Sequence, residues 1–423
     1  MTEEFLHYIW KFRLFNNTNL KTHTGEAIEI VKPGDQNHHA GPDFQNAVIK
    51  IGETLWAGNV EIHINSSDWN KHKHSSDKVY NNVILHVVLN DDCTISRTSG
   101  EVIPAIELKE RIDKNTYLKY ADLISSKQWI SCSRSINQVD SMIITSWLSR
   151  LLAERLERKS ESIINSLNLN KYNWQETFYQ QLARNFGFKL NAGPFEMMAK
   201  SLPLAYLGKH RNNLEQIEAL IFGQAGMLDG KFTEDYPLYL QKEYSFLKLK
   251  YKLQPIDNHL WKFLRLRPAS FPTIRLSQFS QLINNSEGLL SKVLECSSLS
   301  DYYELFKVSA SYYWQTHYTF GKQTAQSIKL LGKSSVDVIL INTVAPFLFV
   351  YGSHKEHIYK EKGLNLLESI QGENNSVIKK WKGIGMETGT AFNTQALLEL
   401  KSSYCDAKKC LSCSIGSSLL KSG

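Results

Sequence analysis

The sequence predicts an α/β domain over residues 1–135, followed by a larger, mainly α-helical domain over 136–423 that ends in a cysteine cluster at 405–413. Three observations predict it. Between residues 27 and 108, short apolar and β-branched runs recur between glycine, proline and aspartate punctuation, which is the signature of strands. After Cys132 that pattern fades and apolar residues recur three and four apart, as in SWLSRLLAERLERKSESII. The length of 423 residues is too great for one typical core.

The elements follow in order. Residues 2–15 form an amphipathic helix, with Phe5, Ile9 and Phe12 inward and Thr2, Glu3 and Glu4 at an acidic start. Ala27 to Val31 reads as a strand ended by Pro33-Gly34. Ala47 to Ile51 and Trp56 to Ile64 are strands joined by a tight connection at Gly52-Glu53-Thr54. Ser66 and Asp68 cap a short helix running to about Lys78. Val83 to Leu89 is almost wholly apolar and therefore central in its sheet. Ile103 to Leu108 adds a further strand. Helical spacing then covers 139–165, 174–188, 212–227, 235–250, 275–295, 322–332, 336–351 and 390–402. Asn191 to Pro194 and Phe222 to Gly226 read as tight helix ends.

Hydrophobic residues make up 42% and charged residues 22% of the chain, the proportions of a globular protein in water. The apolar run from Val336 to Val350 is interrupted by Asp337, Asn342 and Pro346, so it predicts a buried helix and no membrane span. The start, MTEEFLHYIWKFRLF, has neither a basic segment nor a small-residue cleavage site, and a cytoplasmic location is expected. A net charge of +7 permits nucleic-acid binding without requiring it. No His-Glu-x-x-His element and no phosphate loop occur, which argues against a standard zinc peptidase or a nucleotide hydrolase.

The chemistry concentrates in residues 41–88. Asp43 precedes one strand of the hairpin, and Glu61 and His63 lie two apart on the other, so their side chains share a face. Antiparallel pairing brings Asp43 beside them, with the Ile62 carbonyl as a further oxygen. Carboxylates fixed in this way suit Mg²⁺ or Mn²⁺, which can bind a phosphate oxygen and make an attacking hydroxide available near neutral pH. The bland alternative is an Asx-turn at Asp43 and a surface ion pair at Glu61.

Pro42-Asp43, an intervening hairpin and Glu61-Ile62-His63 together resemble the PD-(D/E)XK signature of restriction-endonuclease-like nucleases. The helix–strand–strand–strand–helix–strand order over residues 1 to about 115 is similar to that fold's core. The resemblance implies a restriction-endonuclease-like mixed sheet flanked by helices. Asp43 and Glu61 would be the metal ligands, and His63 would stand at the lysine position that orients the attacking water. An upstream acidic residue often completes such a site, and Glu29 is the first candidate, ahead of Glu4. A histidine in place of the lysine can act as base or ligand, or mark a domain that has lost activity. The longer string GPDF…VEIH…SSDW-x-x-H-x-H…VILHVV, with WKFLRLRPASFPTIRL and YCDAKKCLSCSIG, resembles an uncharacterised bacterial family over nearly the whole chain.

His38, His39, His63, His72, His74 and His86 account for six of the 13 histidines. His86 lies inside the apolar strand, where an unpartnered imidazole is costly; a carboxylate, a metal or a backbone group must satisfy it. His72 and His74 are two apart on the expected helix, so one of them, His74, is expected to reach the site. His38 and His39 precede the Gly41-Pro42 turn and could contact phosphate. Cys405, Cys410 and Cys413 give Cys-x₄-Cys-x₂-Cys, with Cys132 as the best fourth ligand, for zinc or an iron–sulfur cluster; free thiols on a tail are the alternative. Some PD-(D/E)XK nucleases carry an iron–sulfur cluster on distant cysteines, and this arrangement is similar. Arg265, Arg267 and Arg275, beside Trp261, Lys262 and Phe271, suit a phosphate backbone and stacked bases, or else cap helix ends.

The function expected is metal-dependent phosphodiester hydrolysis of nucleic acid, with DNA as the first choice. The alternatives are a zinc or two-metal hydrolase acting on a small molecule, and a catalytically inactive nucleic-acid-binding scaffold.

Overall fold

A computed structural model describes residues 1–421. The chain divides into two compact units: residues Met1–Trp147 with Leu400–Gly423, and residues Leu148–Glu399. The division after Trp147 falls later than the expected 135/136, and the last segment belongs with the first unit.

The first unit opens with α1 (Glu3–Phe12). Thr2 caps it by accepting the Phe5 amide N–H at 3.3 Å, and Arg13 closes it in the left-handed region at φ +52°. Phe5, Leu6, Ile9 and Trp10 are fully buried on its inner face. Side chains of that size are each worth about 2–3 kcal/mol in burial, which fixes the helix on the sheet. His7 is therefore turned to the other flank of the helix, where it is half-buried.

Beneath α1 lies a mixed sheet built from β1 (Ile28–Lys32), β2 (Asp35–Gln36), β3 (Phe44–Ile51), β4 (Thr54–Asn65), β5 (Val83–Asn90) and β6 (Ala105–Glu107). The order is β1-β3-β4-β5-β6, with β2 paired to β3. β1, β3 and β4 run antiparallel, whereas β4, β5 and β6 run parallel. β3 and β4 form a two-residue hairpin in which Gly52 takes φ +56°, a conformation that glycine adopts without steric cost. The fully buried run from Val83 to Val88 reflects the covering of both faces of β5. α3 (Lys114–Ser125) follows, its start capped by Asp113 on the Thr116 amide at 3.0 Å.

The parallel β4–β5 pair needs a crossover. The helix expected to reach Lys78 stops early: α2 (Asp68–Lys71) is a single turn, followed by two 3₁₀ turns at His74–Ser76 and Lys78–Asn82. Lys73, held left-handed at φ +62°, breaks it.

α4 (Ser141–Leu169) runs across the sequence boundary between the units. The second unit continues with α5 (Trp174–Phe186), α6 (Phe188–Ser201), α7 (Leu204–Gly208), α8 (Leu214–Gln224) and α9 (Asp235–Tyr251). Next come α10 (Pro272–Asn285), α11 (Leu289–Glu295) and α12 (Leu299–Leu305), then α13 (Lys333–Ile339), which passes through a π-turn into α14 (Ala345–His354). α15 (Ile358–Ser369), α16 (Ser376–Gly383) and α17 (Ala391–Glu399) complete it, and α18 (Ser414–Lys421) returns to the first unit. The expectation of an α/β region before a larger helical one is met.

Two local expectations fail. Asn191 to Pro194 does not end a helix but lies inside α6. Residues 322–332 form no helix, because their backbone is engaged elsewhere: Ala310 and Leu331 amides donate to the Lys329 and Val308 carbonyls at 3.0 and 2.8 Å. Lys333–His354 is long and apolar enough to cross a bilayer, but 72% of its most apolar stretch is buried within the protein, as in a core helix.

Candidate metal centre

The register of the hairpin builds the site. Phe44 faces Val60 across β3 and β4, so Asp43 comes opposite Glu61. The Asp43 amide donates to Glu61 Oε2 at 3.1 Å, and the Ile62 amide donates to Asp43 Oδ2 at 3.0 Å. Glu61 is 5% exposed and His63 2%. On the neighbouring strand, parallel pairing sets His86 beside Glu61.

Imidazoles close around this pair. His63 Nδ1 lies 2.8 Å from His86 Nε2, and His63 Nε2 lies 3.1 Å from His72 Nδ1. Glu61 Oε1 is 3.3 Å from His74 Nε2 and 3.7 Å from His63 Nε2. Ligand atoms of His63, His72 and His74 all fall within 4.8 Å of one another. Two nitrogens at about 2.0–2.1 Å from one tetrahedral ion lie about 3.3 Å apart; the His63–His72 pair at 3.1 Å is close to that, whereas the whole set, spread over up to 4.8 Å, would have to draw in to hold one cation. His74 is stacked on Tyr80 with centroids 3.8 Å apart, and Trp69 stands edge-on to His74 and His86. The rings are thus held in place by packing.

Electrostatics agree with the geometry. Burial and the adjacent Asp43 charge push the Glu61 carboxyl up to about 9, because two neighbouring carboxylates resist joint ionisation. Burial and the neighbouring imidazoles pull His63 down to about 3; burial does the same to His86. Neutral imidazoles beside carboxyls short of positive charge could hold a divalent cation. The buried His86 Nδ1 has no partner among the described residues. Three imidazoles and a carboxylate suit zinc or manganese better than magnesium, which prefers oxygen donors.

His72 reaches the site together with His74, against the helical expectation. The left-handed Lys73 between them reverses the chain and turns both rings to one side. Glu29 does not reach it: exposed on β1, it pairs with Lys50 near the opposite end of β3 from Asp43. The upstream acidic residue that the centre senses is Glu3, whose charge contributes to raising Glu61. One turn further along α1, His7 Nε2 stands 3.2 Å from Asp43 Oδ2. Glu3 and His7, at i and i+4 on the polar flank of an amphipathic helix, were the available signal for this third side of the site. His38 and His39 are exposed and form no part of the cluster.

The four cysteines converge in the first unit. Burial and the proximity of Cys413 and Cys410 push the Cys132 thiol up to about 12, and Cys405 is raised by burial and by all three others. Cys413 accepts hydrogen bonds from the Ile415 and Gly416 amides and from the Trp147 side chain, and Cys410 from Ser131. Gly416 is required there, since a Cβ would lie 2.3 Å from the Cys410 carbonyl oxygen.

Arg265 and Arg267 are exposed in the second unit, but Arg275 is not. It is buried in α10, bonded to Gln278 Oε1 and Ser335 Oγ at 3.0 Å each, so it offers no surface to a phosphate backbone.

Residues 3–376 match the model of a family described as a protein of unknown function, DUF2851. The chain belongs to that family. The DUF2851 match takes in every residue of the His63–Glu61 centre, including Glu3 and His7, and stops before the cysteines at 405–413. No curated protein and no solved structure matches the chain.

Proposed function

We propose that the first unit is a restriction-endonuclease-like domain that hydrolyses phosphodiesters of nucleic acid, DNA first, with a divalent metal held by Asp43, Glu61, His63, His72 and His74. The observation that carries this reading is the convergence of Asp43, just before β3, with Glu61 and His63 on β4 of the mixed sheet, the residues to which the PD-(D/E)XK resemblance gives the ligand and lysine positions. When bound, the metal supplies Lewis acidity toward a phosphoryl oxygen and lowers the pKa of water. The residues do the rest. Asp43 provides negative charge and Glu61 a second carboxyl that would give up its proton to a bound cation; each accepts a backbone amide, Asp43 from Ile62 and Glu61 from Asp43. His63 takes the lysine's place with a neutral ring oriented through Nδ1 by His86 at 2.8 Å, and its Nε2, beside His72 Nδ1 at 3.1 Å, is the nitrogen that would face the ion. His7, half-buried at Asp43, is placed to accept the proton released as water adds to phosphorus and the P–O bond to the leaving oxygen breaks. Arg265 and Arg267 are the exposed cations for the phosphate backbone. Cys132, Cys405, Cys410 and Cys413 hold a structural zinc ion or iron–sulfur cluster, which ties the last segment to its unit.

The test is cleavage of labelled single- and double-stranded DNA and RNA with Mg²⁺, Mn²⁺, Zn²⁺ or EDTA, beside Asp43→Ala. Cutting that needs metal and disappears in Asp43→Ala is the expected result. Equal cutting by both proteins would sink the site assignment, and no cutting of any polymer would sink the nuclease reading.

The three-histidine set favours a second reading, a zinc or two-metal hydrolase of a small molecule. It predicts turnover of aryl ester or aryl phosphate model substrates, with no cleavage of polynucleotides.

A further inference from the structure

A cavity of 610 Å³ lies within the second unit, walled by Phe186, Phe188, Phe195, Leu266 and Val338. Arg275 reaches it from α10. Its exposure is 7%, and its two terminal nitrogens are spent on neutral partners, Gln278 and Ser335. Its Nε is buried with no partner, and no ion pair to a carboxylate forms at Arg275 among the described residues. No acidic residue lines the cavity, whereas Lys189 does. A buried, uncompensated cation costs several kcal/mol unless something anionic meets it.

The surrounding backbone has the same polarity. Phe188, Pro272 and Ser334–Ser335, all on the cavity wall, belong to the first turns of α6, α10 and the helix Lys333–His354. None of the three starts carries a side-chain cap. Each presents the positive end of its dipole, which favours an anion, although Pro272 carries no N–H and the Ser335 amide already donates to the Gly332 carbonyl at 2.8 Å. Phe188 is held left-handed at φ +50°, a strained conformation for a phenylalanine, with its ring 4.7 Å from the Arg275 guanidinium carbon. Strain of that kind persists where it sets up a binding surface.

We propose that this cavity binds a small amphipathic anion, a carboxylate on an aliphatic or aromatic body, with the carboxylate on Arg275 and the body against the phenylalanines. The guanidinium, whose Nε is unpartnered and which meets no carboxylate, selects the charge, and the apolar wall selects a body that free phosphate lacks. The site lies apart from the metal centre in sequence and unit, and it does not rest on the hydrolase reading.

The experiment is calorimetric titration of the whole protein with octanoate, 1-naphthoate, octan-1-ol and inorganic phosphate. Wild type should bind one equivalent of octanoate or naphthoate, with octanol and phosphate at least tenfold weaker. Arg275→Gln should weaken the carboxylates by about tenfold to a hundredfold, the value of a charge-assisted hydrogen bond. Because Arg275 is buried, Val338→Trp serves as a second variant: it keeps the cation, fills the cavity and should abolish binding. No saturable carboxylate binding by wild type would overturn the proposal. So would octanol or phosphate binding as tightly as octanoate, or undiminished binding by a folded Val338→Trp.

Discussion

Glu218 allows a quantitative test of how the helical unit is held together. It sits on α8 at 1% exposure, and its carboxyl accepts hydrogen bonds from Tyr236 Oη at 2.8 Å and Ser277 Oγ at 2.7 Å. Burial outweighs those two bonds and pushes its pKa from 4.5 up to about 7. Below pH 4.5 the folded and unfolded chains both hold the proton. As pH rises toward 7 the unfolded chain gives it up first, so native stability falls; above 7 both states are ionised and the loss is complete. At about 1.4 kcal/mol per unit, the window is worth about 3 kcal/mol. Glu218→Gln removes the titration while keeping a side chain of the same shape. Urea unfolding of both proteins at pH 4.5, 6 and 8 isolates the effect, since every other group cancels in the difference. The variant should gain about 3 kcal/mol relative to wild type between pH 4.5 and 8. Parallel stability–pH curves would refute the argument that desolvation dominates at this carboxyl.

Three further outcomes follow from the geometry. His72→Ala and His74→Ala should each lower Mn²⁺ or Zn²⁺ affinity by at least about tenfold, measured by competition with a fluorescent chelator, whereas His38→Ala should leave it unchanged. Arg265→Ala and Arg267→Ala should each reduce the slope of log affinity against log salt for DNA by about one, with no change in sequence preference, measured by fluorescence anisotropy. Cys413→Ser should release one equivalent of zinc, or the several irons of an iron–sulfur cluster, by elemental analysis. It should also lower thermal stability, because the loop from Cys132 to Cys413 is then no longer closed.

Much of the first unit was legible in the chain. Thr2 before Glu3-Glu4 marked the start of α1, Gly52 marked the hairpin, and the apolar run at 83–89 marked a strand buried on both faces. Those signals are local, and local stereochemistry decides them. Asp43, Glu61 and His63 were readable for the same reason, since strand alternation and a hairpin fix their relation. His72 was lost because a left-handed lysine carries no sequence mark as a glycine would. His7 and Glu3 were lost because α1 was read for its apolar face alone. Arg275 was misplaced by one helical turn: Phe271-Pro272 starts α10, and proline at the first helical position was the signal that put Arg275 inside the helix and out of solvent. The extended course of 322–332 was illegible, since its backbone partners lie outside it, between Val308 and His317.

The most direct test of the central claim is a crystal of the protein soaked with Mn²⁺ and measured at the manganese absorption edge. An anomalous peak between Glu61, His63, His72 and His74, absent in Asp43→Ala or Glu61→Gln crystals, is the predicted result. A well-ordered site with no peak there, or a peak unaffected by either substitution, would contradict the account.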